Sequence, residues 1–122
     1  MSTRPWNLAV RFLLELGALL VLGRWGWRQR DDAWRIAIAV AIPSIAAAFW
    51  GTFAVPDDPS RSGSAPVPVP GLLRLALELG FFASATLALY DLGYALLTAV
   101  FGTAIVIHYL LSYDRVLWLL SR

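Results

Sequence analysis

Apolar positions in this chain neither alternate nor trace a narrow helical stripe. They fill four long runs, at about residues 6–27, 34–55, 71–90 and 94–113, separated by short polar breaks. Each run is long enough for an α-helix to cross a hydrocarbon layer of ~30 Å at ~1.5 Å per residue. The second contains 20 successive uncharged residues from Ile36 onward. The first break, Arg28-Gln-Arg-Asp-Asp32, reads as a tight turn in which Asp32 is placed to cap the second helix. Pro43 is expected to kink that helix and free a carbonyl one turn earlier. Ala46, Ala47 and Ala48 would let a neighbouring helix approach closely, and Pro56 marks the exit. Residues 57–70 are rich in Ser, Pro and Gly, with Pro66, Pro68 and Pro70 alternating, and should be extended, exposed and without structure of their own. Asp91-Leu-Gly93 makes a very short turn. The tail 114–122 either prolongs the fourth helix or lies along an interface with Trp118 as its anchor. The expected fold is therefore all-α, an integral membrane four-helix bundle made of two helical hairpins. It forms a single transmembrane domain over residues 1–122.

Composition sharpens this reading. Apolar residues make up 59% of the 122, more than a soluble core of this size can hide, and lipid can cover the excess. All ten basic residues are Arg, scattered along the chain without a stripe, so no nucleic acid is expected as a partner. The absence of Cys excludes disulfides and Cys-based zinc sites. A cleaved leader is not expected, because Arg11 and Glu15 interrupt the first run and Gly-Arg-Trp-Gly-Trp follows Leu22. Arg4, Arg61, Arg115 and Arg122 fall on the side of the N terminus, joined by Arg11 and Arg74 if these reach the interface. Arg24, Arg28, Arg30 and Arg35 fall on the other side. That bias leans towards both termini in the cytoplasm, with the chain in the plasma membrane.

One phrase occurs twice. Arg11-Phe-Leu-Leu-Glu15-Leu-Gly17 returns 63 positions later as Arg74-Leu-Ala-Leu-Glu78-Leu-Gly80, which suggests a parallel internal repeat. Arg and Glu four apart share one helix face. Gly17 and Gly80 are expected to allow close helix contact. Glu78 lies seven residues into its run, ~10 Å from the N-terminal side, and His108 lies ~8 Å from that side. Arg11, Glu15, Trp50, Arg74, Glu78, His108 and Tyr109 can thus converge in one layer. An ion at such depth costs at least ~2.5–3.5 kcal/mol on insertion scales, so it should turn inward and find partners.

Several of these segments also resemble a known family. Leu-Ala-Val-Arg11-Phe-Leu-Leu-Glu15-Leu, Gly23-Arg-Trp25-Gly-Trp27, Pro43, Trp50-Gly51-Thr-Phe-Ala-Val-Pro56 and Leu-Arg74-Leu-Ala-Leu-Glu78 are similar to the YrdB-like family of small bacterial and archaeal membrane proteins. The resemblance spans nearly the whole chain. It implies a four-helix membrane protein and brings no established activity, substrate or cofactor. Relatives that carry Asn at the position of His108 would not share a role that needs imidazole.

Two functional readings follow. In one, the Arg/Glu layer is a structural lock, Arg11 pairing with Glu15 or Glu78 and Arg74 with the other, in a non-enzymatic protein of assembly or interaction. Its partners are the bilayer and a second copy or another membrane protein. In the other, Glu15, Glu78 and His108 form polar contacts for a small molecule, lipid headgroup, quinone, ion or proton, to be bound or transported. No catalytic residues, metal site or cofactor are expected: there is no Gly-rich phosphate loop or nucleophile elbow. His108 with the two Glu makes a weak ligand set.

Overall fold

The computed structural model describes residues 4–56, 58 and 65–122; residues 1–3, 57 and 59–64 lie outside the described residues, so the polar lead, Arg61 and part of the Pro/Ser loop do too. The described chain is mostly helical: α1 (Pro5–Trp27), α2 (Trp34–Thr52), α3 (Gly71–Asp91), α4 (Ala95–Leu111) and α5 (Tyr113–Leu120), with β1 (Phe53–Ala54) and β2 (Val67–Pro68) between α2 and α3. α1, α2 and α3 are long and apolar enough to cross a membrane. α4 and α5 together make a fourth candidate, bent by 70° where they meet.

Local chemistry sets the ends. Pro5 starts α1, where its missing N–H costs nothing. Asp32 accepts a hydrogen bond from the Trp34 N–H at 3.2 Å, helping to satisfy the first turn of α2. Arg30, at 2.6 Å, holds the Asp32 carboxyl below the usual carboxylate range. α3 stops on Gly93, whose φ of 86° suits glycine. The Gly93 N–H bonds to the Tyr90 carbonyl and the Tyr94 N–H to the Leu89 carbonyl, closing the helix end.

Contacts between the long helices fix how they run. Arg11 of α1 meets Glu78 of α3, and 14 residues further on Trp25 Nε1 donates to Asp91, 13 residues after Glu78, at 2.8 Å. α1 and α3 are therefore parallel. α2 returns antiparallel to α1: Gly23 faces Ala39 and Pro43, Gly26 faces Ile38, and Trp50 lies over Arg11. α4 returns along α3, with Thr86 near Gly102 and Tyr109 at Glu78. A small apolar core of Ala18, Leu22, Phe82, Ala85, Ala88 and Ile105 lies between them.

The distribution of side chains inverts that of a protein folded in water. Leu20, Leu96 and Leu110 are 68–76% exposed, whereas Arg11, Arg74, Glu78, His108 and Arg115 are all buried. No residue of α2 is buried. Apolar surface of this extent belongs against apolar surroundings.

Several expectations are corrected. α2 ends at Thr52, and the chain continues as a strand. The Pro-rich stretch is not structureless where described: Val67–Pro68 pairs in parallel with Phe53–Ala54, and the Val69 N–H bonds to the Ala54 carbonyl at 2.9 Å. Pro68 forgoes a ladder hydrogen bond at no loss, as it stands on an edge. Ala47 and Ala48 face outward. α1 and α2 approach through Gly23 and Gly26 instead, where a Cβ would stand 3.2 and 3.0 Å from backbone carbonyls of α2. Gly80 is open, with nothing within 4 Å of where its Cβ would be, and Gly17 has only ordinary contact with Phe101. The tail does not continue α4 straight but bends from it by 70°. It turns back as α5, burying Arg115 and Leu119, and the Leu119 carbonyl lies directly against Gly71, where any side chain would clash.

Candidate functional site

Arg74 and Glu78 stand one turn apart on α3 with their side chains joined, Arg74 Nε to Glu78 Oε2, at 2.9 Å. The same spacing on α1 joins Arg11 Nε to Glu15 Oε1 at 3.1 Å. Because α1 and α3 are parallel neighbours, the two ion pairs meet: Arg11 also places Nη2 3.2 Å from Glu78 Oε2. From α5, Arg115 grips Glu78 with both terminal nitrogens, Nη1 to Oε1 at 2.7 Å and Nη2 to Oε2 at 2.6 Å. From α4, the Tyr109 hydroxyl donates to Oε1 at 2.8 Å. Glu78 has no exposed surface, and both its oxygens are bonded.

The cluster extends beyond this hub. Arg115 Nη2 lies 2.7 Å from Asp58 Oδ2, in the loop after β1. A continuous line of alternating charge runs Glu15, Arg11, Glu78, Arg115, Asp58, with Arg74 beside it. Three guanidiniums thus face three carboxylates. Bidentate Arg–carboxylate pairs of this kind are among the strongest hydrogen bonds in proteins. Removing charges from water is so costly that only such complete pairing offsets it.

α2 joins through its last turn. Arg74 Nη1 donates to the carbonyls of Trp50 and Phe53 at 2.6 and 2.8 Å, satisfying groups that a helix C-terminus leaves open. The Trp50 ring lies between two guanidiniums, 5.3 Å from Arg11 and 4.5 Å from Arg74, in cation–π contact. One layer therefore ties α1, α2, α3, α4, α5 and the loop after β1 together.

Of the residues expected from the sequence, Arg11, Glu15, Trp50, Arg74, Glu78 and Tyr109 share this layer. Arg11 pairs with Glu15 and Arg74 with Glu78, one of the two expected arrangements. Beyond it, all three guanidiniums converge on Glu78, because Arg11 also reaches across and α5 brings a third Arg. His108 is buried beside the layer, its ring 5.4 Å from that of Tyr109, but its Nε2 bonds to no protein group. Arg115 and Asp58 are the members that sequence reasoning missed. A signal for Arg115 existed in its spacing: it lies four residues before Leu119, on the same face of a short amphipathic helix. Nothing in the Ser/Pro stretch singles out Asp58.

Among the described residues, surface grooves of about 410, 360 and 510 Å³ lie between the helices. Trp50 borders one and Tyr109 another, but no charged member of the layer lines any of them. Among the described residues, no three His, Asp or Glu side chains gather as a metal set.

A family model described as "Protein of unknown function (DUF2568)" matches residues 9–106. The chain is 39% identical over 116 residues to the Bacillus subtilis (strain 168) protein named "Uncharacterized protein YrdB", a match that covers 95% of this chain and 94% of that one. No solved structure matches.

Proposed function

The chain belongs to the YrdB-like family of proteins of unknown function (DUF2568), and we propose that it is a non-enzymatic integral protein of the plasma membrane whose buried Arg/Glu layer locks a four-helix, two-hairpin bundle. In this reading α4 with α5 supplies the fourth span, and both termini face the cytoplasm. The observation that carries it is the enclosure of Glu78: no exposed surface, three guanidiniums and a tyrosine hydroxyl on its two oxygens. A ligand-binding carboxylate needs an open flank, and the Glu78 side chain has no exposed surface.

A lock of this kind selects which helices meet. In lipid the apolar faces of helices do not drive association, so polar contacts and close packing decide it. With the interior locked, α2 is free to present its outer face. Ala37, Ala41, Ser44, Ala48 and Gly51 are all exposed there at intervals of four and three, the spacing of a helix-pairing seam. The interaction partner in this reading is a second copy, whose α2 carries the same seam.

Glu15 favours a second reading. Its side chain is 22% exposed and, among the described residues, is joined only to Arg11 as an ion-pair partner, so it could take up a proton or contact a small polar ligand, with Glu78 and His108 behind it. Proteoliposomes separate the two. The lock predicts that Glu15→Gln and Glu78→Gln lower stability in detergent while proton and ion flux stays at the lipid background in every variant. Flux in the native protein that either substitution abolishes, with the fold intact, would replace the lock by transport.

A further inference from the structure

We propose that the cleft between α1, α2 and α3, at the end away from the Arg/Glu layer, binds an amine-headed amphiphile: one hydrocarbon chain that ends in an ammonium group. The lock needs no ligand, so this goes beyond it. A groove of about 410 Å³ is lined by Leu22 and Trp25 of α1, Ile42 of α2, and Ser84, Leu87 and Asp91 of α3. Small-molecule sites usually have about 300–1,000 Å³ and mostly apolar walls with a few placed polar groups. Ser84, Leu87 and Asp91 follow one another at three and four residues, so they share one face of α3. Asp91 is the last residue of that helix. The carboxylate therefore stands at the end of the span, and the groove runs from it towards the middle.

Asp91 sets the charge of the head. Trp25 Nε1 donates to Asp91 Oδ2 at 2.8 Å, which leaves Oδ1 as an acceptor on an exposed residue. No Arg lines this groove. Of those at this end, Arg30 is paired with Asp32, and Arg35 lies 4.1 Å from the centre of the Trp27 ring. An ammonium gains a charge-assisted hydrogen bond at Oδ1, whereas a phosphate or carboxylate head is repelled. The rest of the groove suits hydrocarbon. The Ser84 hydroxyl already donates to the Gly80 carbonyl at 2.7 Å. Ser84 also lines the groove of about 360 Å³, which continues between Ala46 and Phe49 of α2 and Leu77 and Gly80 of α3. Nothing lies within 4 Å of where a Gly80 Cβ would be, so the trough is open there. Leu77 and Asp91 are 14 residues apart, roughly 21 Å along the helix. That shape fits an extended chain rather than a compact molecule.

The test uses the full chain, labelled with ¹⁵N, in maltoside micelles. Dodecylammonium, dodecanol and dodecyl sulfate are titrated in turn, and the Trp25 indole N–H resonance, assigned with Trp25→Phe, is followed. A saturable shift is expected with dodecylammonium and with neither of the others. Asp91→Asn keeps an oxygen for Trp25 but removes the charge, and should weaken dodecylammonium binding at least about tenfold. Ser84→Phe fills the trough, leaves Asp91 in place, and should weaken it as well. Should either variant disturb the other indole signals, the native protein's choice among the three amphiphiles still decides. Equal shifts with dodecanol overturn the proposal, as do the lack of a saturable shift with dodecylammonium and undiminished binding in either variant. The readout lies at the opposite end from Glu78, so this result and the lock stand or fall separately.

Discussion

Glu78 and Glu15 occupy equivalent places in a repeated phrase yet should differ in what their loss does. Glu78 is sealed among three guanidiniums, and its loss leaves Arg74 without a carboxylate and Arg11 and Arg115 with one each in the interior. Breaking a buried ion pair at one partner costs about 3–5 kcal/mol, so Glu78→Gln is expected to lose that much in reversible unfolding from mixed micelles. Glu15→Gln should lose clearly less, since its side chain is partly exposed and Arg11 keeps Glu78. Equal losses would refute the hierarchy. At this scale much was legible in the sequence, because an ionised side chain at depth in an apolar run has to turn inward. For Arg115 the spacing from Leu119 marked a buried face, but not its partner: as a tail residue it reads as an interfacial charge, and the bend between α4 and α5 carries it to Glu78. His108 is buried beside the layer, but its Nε2 meets neither Glu15 nor Glu78.

The elements hold together through backbone approach as much as through charge. A Cβ at Gly26 would press on the Ile38 carbonyl of α2 at 3.0 Å, whereas at Gly80 it would meet nothing. Gly26→Ala should therefore destabilise by about 1–3 kcal/mol through overpacking, and Gly80→Ala should be neutral or slightly stabilising as a helix-propensity gain. Thermal unfolding in detergent distinguishes them. Gly71→Ala should push α5 away through the Leu119 carbonyl and take Arg115 from Glu78 with it, which hydrogen exchange across 113–120 would register as lost protection. The turn before α2 carries a pH dependence of known sign. Arg30 depresses the Asp32 carboxyl in the fold, so its contribution is present above the ordinary carboxylate range and lost as pH falls through the folded value. Acid should lower the protection of the Trp34 amide, measured against its intrinsic exchange rate at each pH, in the native chain and not in Asp32→Asn. The long helices could be read from hydrophobic length alone. The β1–β2 pairing could not, because two-residue strands leave no period in a Pro-rich segment, and the glycine contacts depend on which faces meet.

The whole molecule is turned inside out: leucines outward, a balanced ionic layer within, and one helix, α2, with no buried residue. Native mass spectrometry from mild detergent should find dimers that Ala41→Leu with Ala48→Leu convert to monomers; a native monomer under the same conditions would remove the self-association. The central claim is that Glu78 and the Arg residues around it stabilise one another across elements far apart in sequence. A double-mutant cycle of Glu78→Gln and Arg115→Met, read by reversible unfolding in mixed micelles, measures that directly. The account predicts a coupling above about 1 kcal/mol, within the range for residues in one network. Losses that simply add would contradict it.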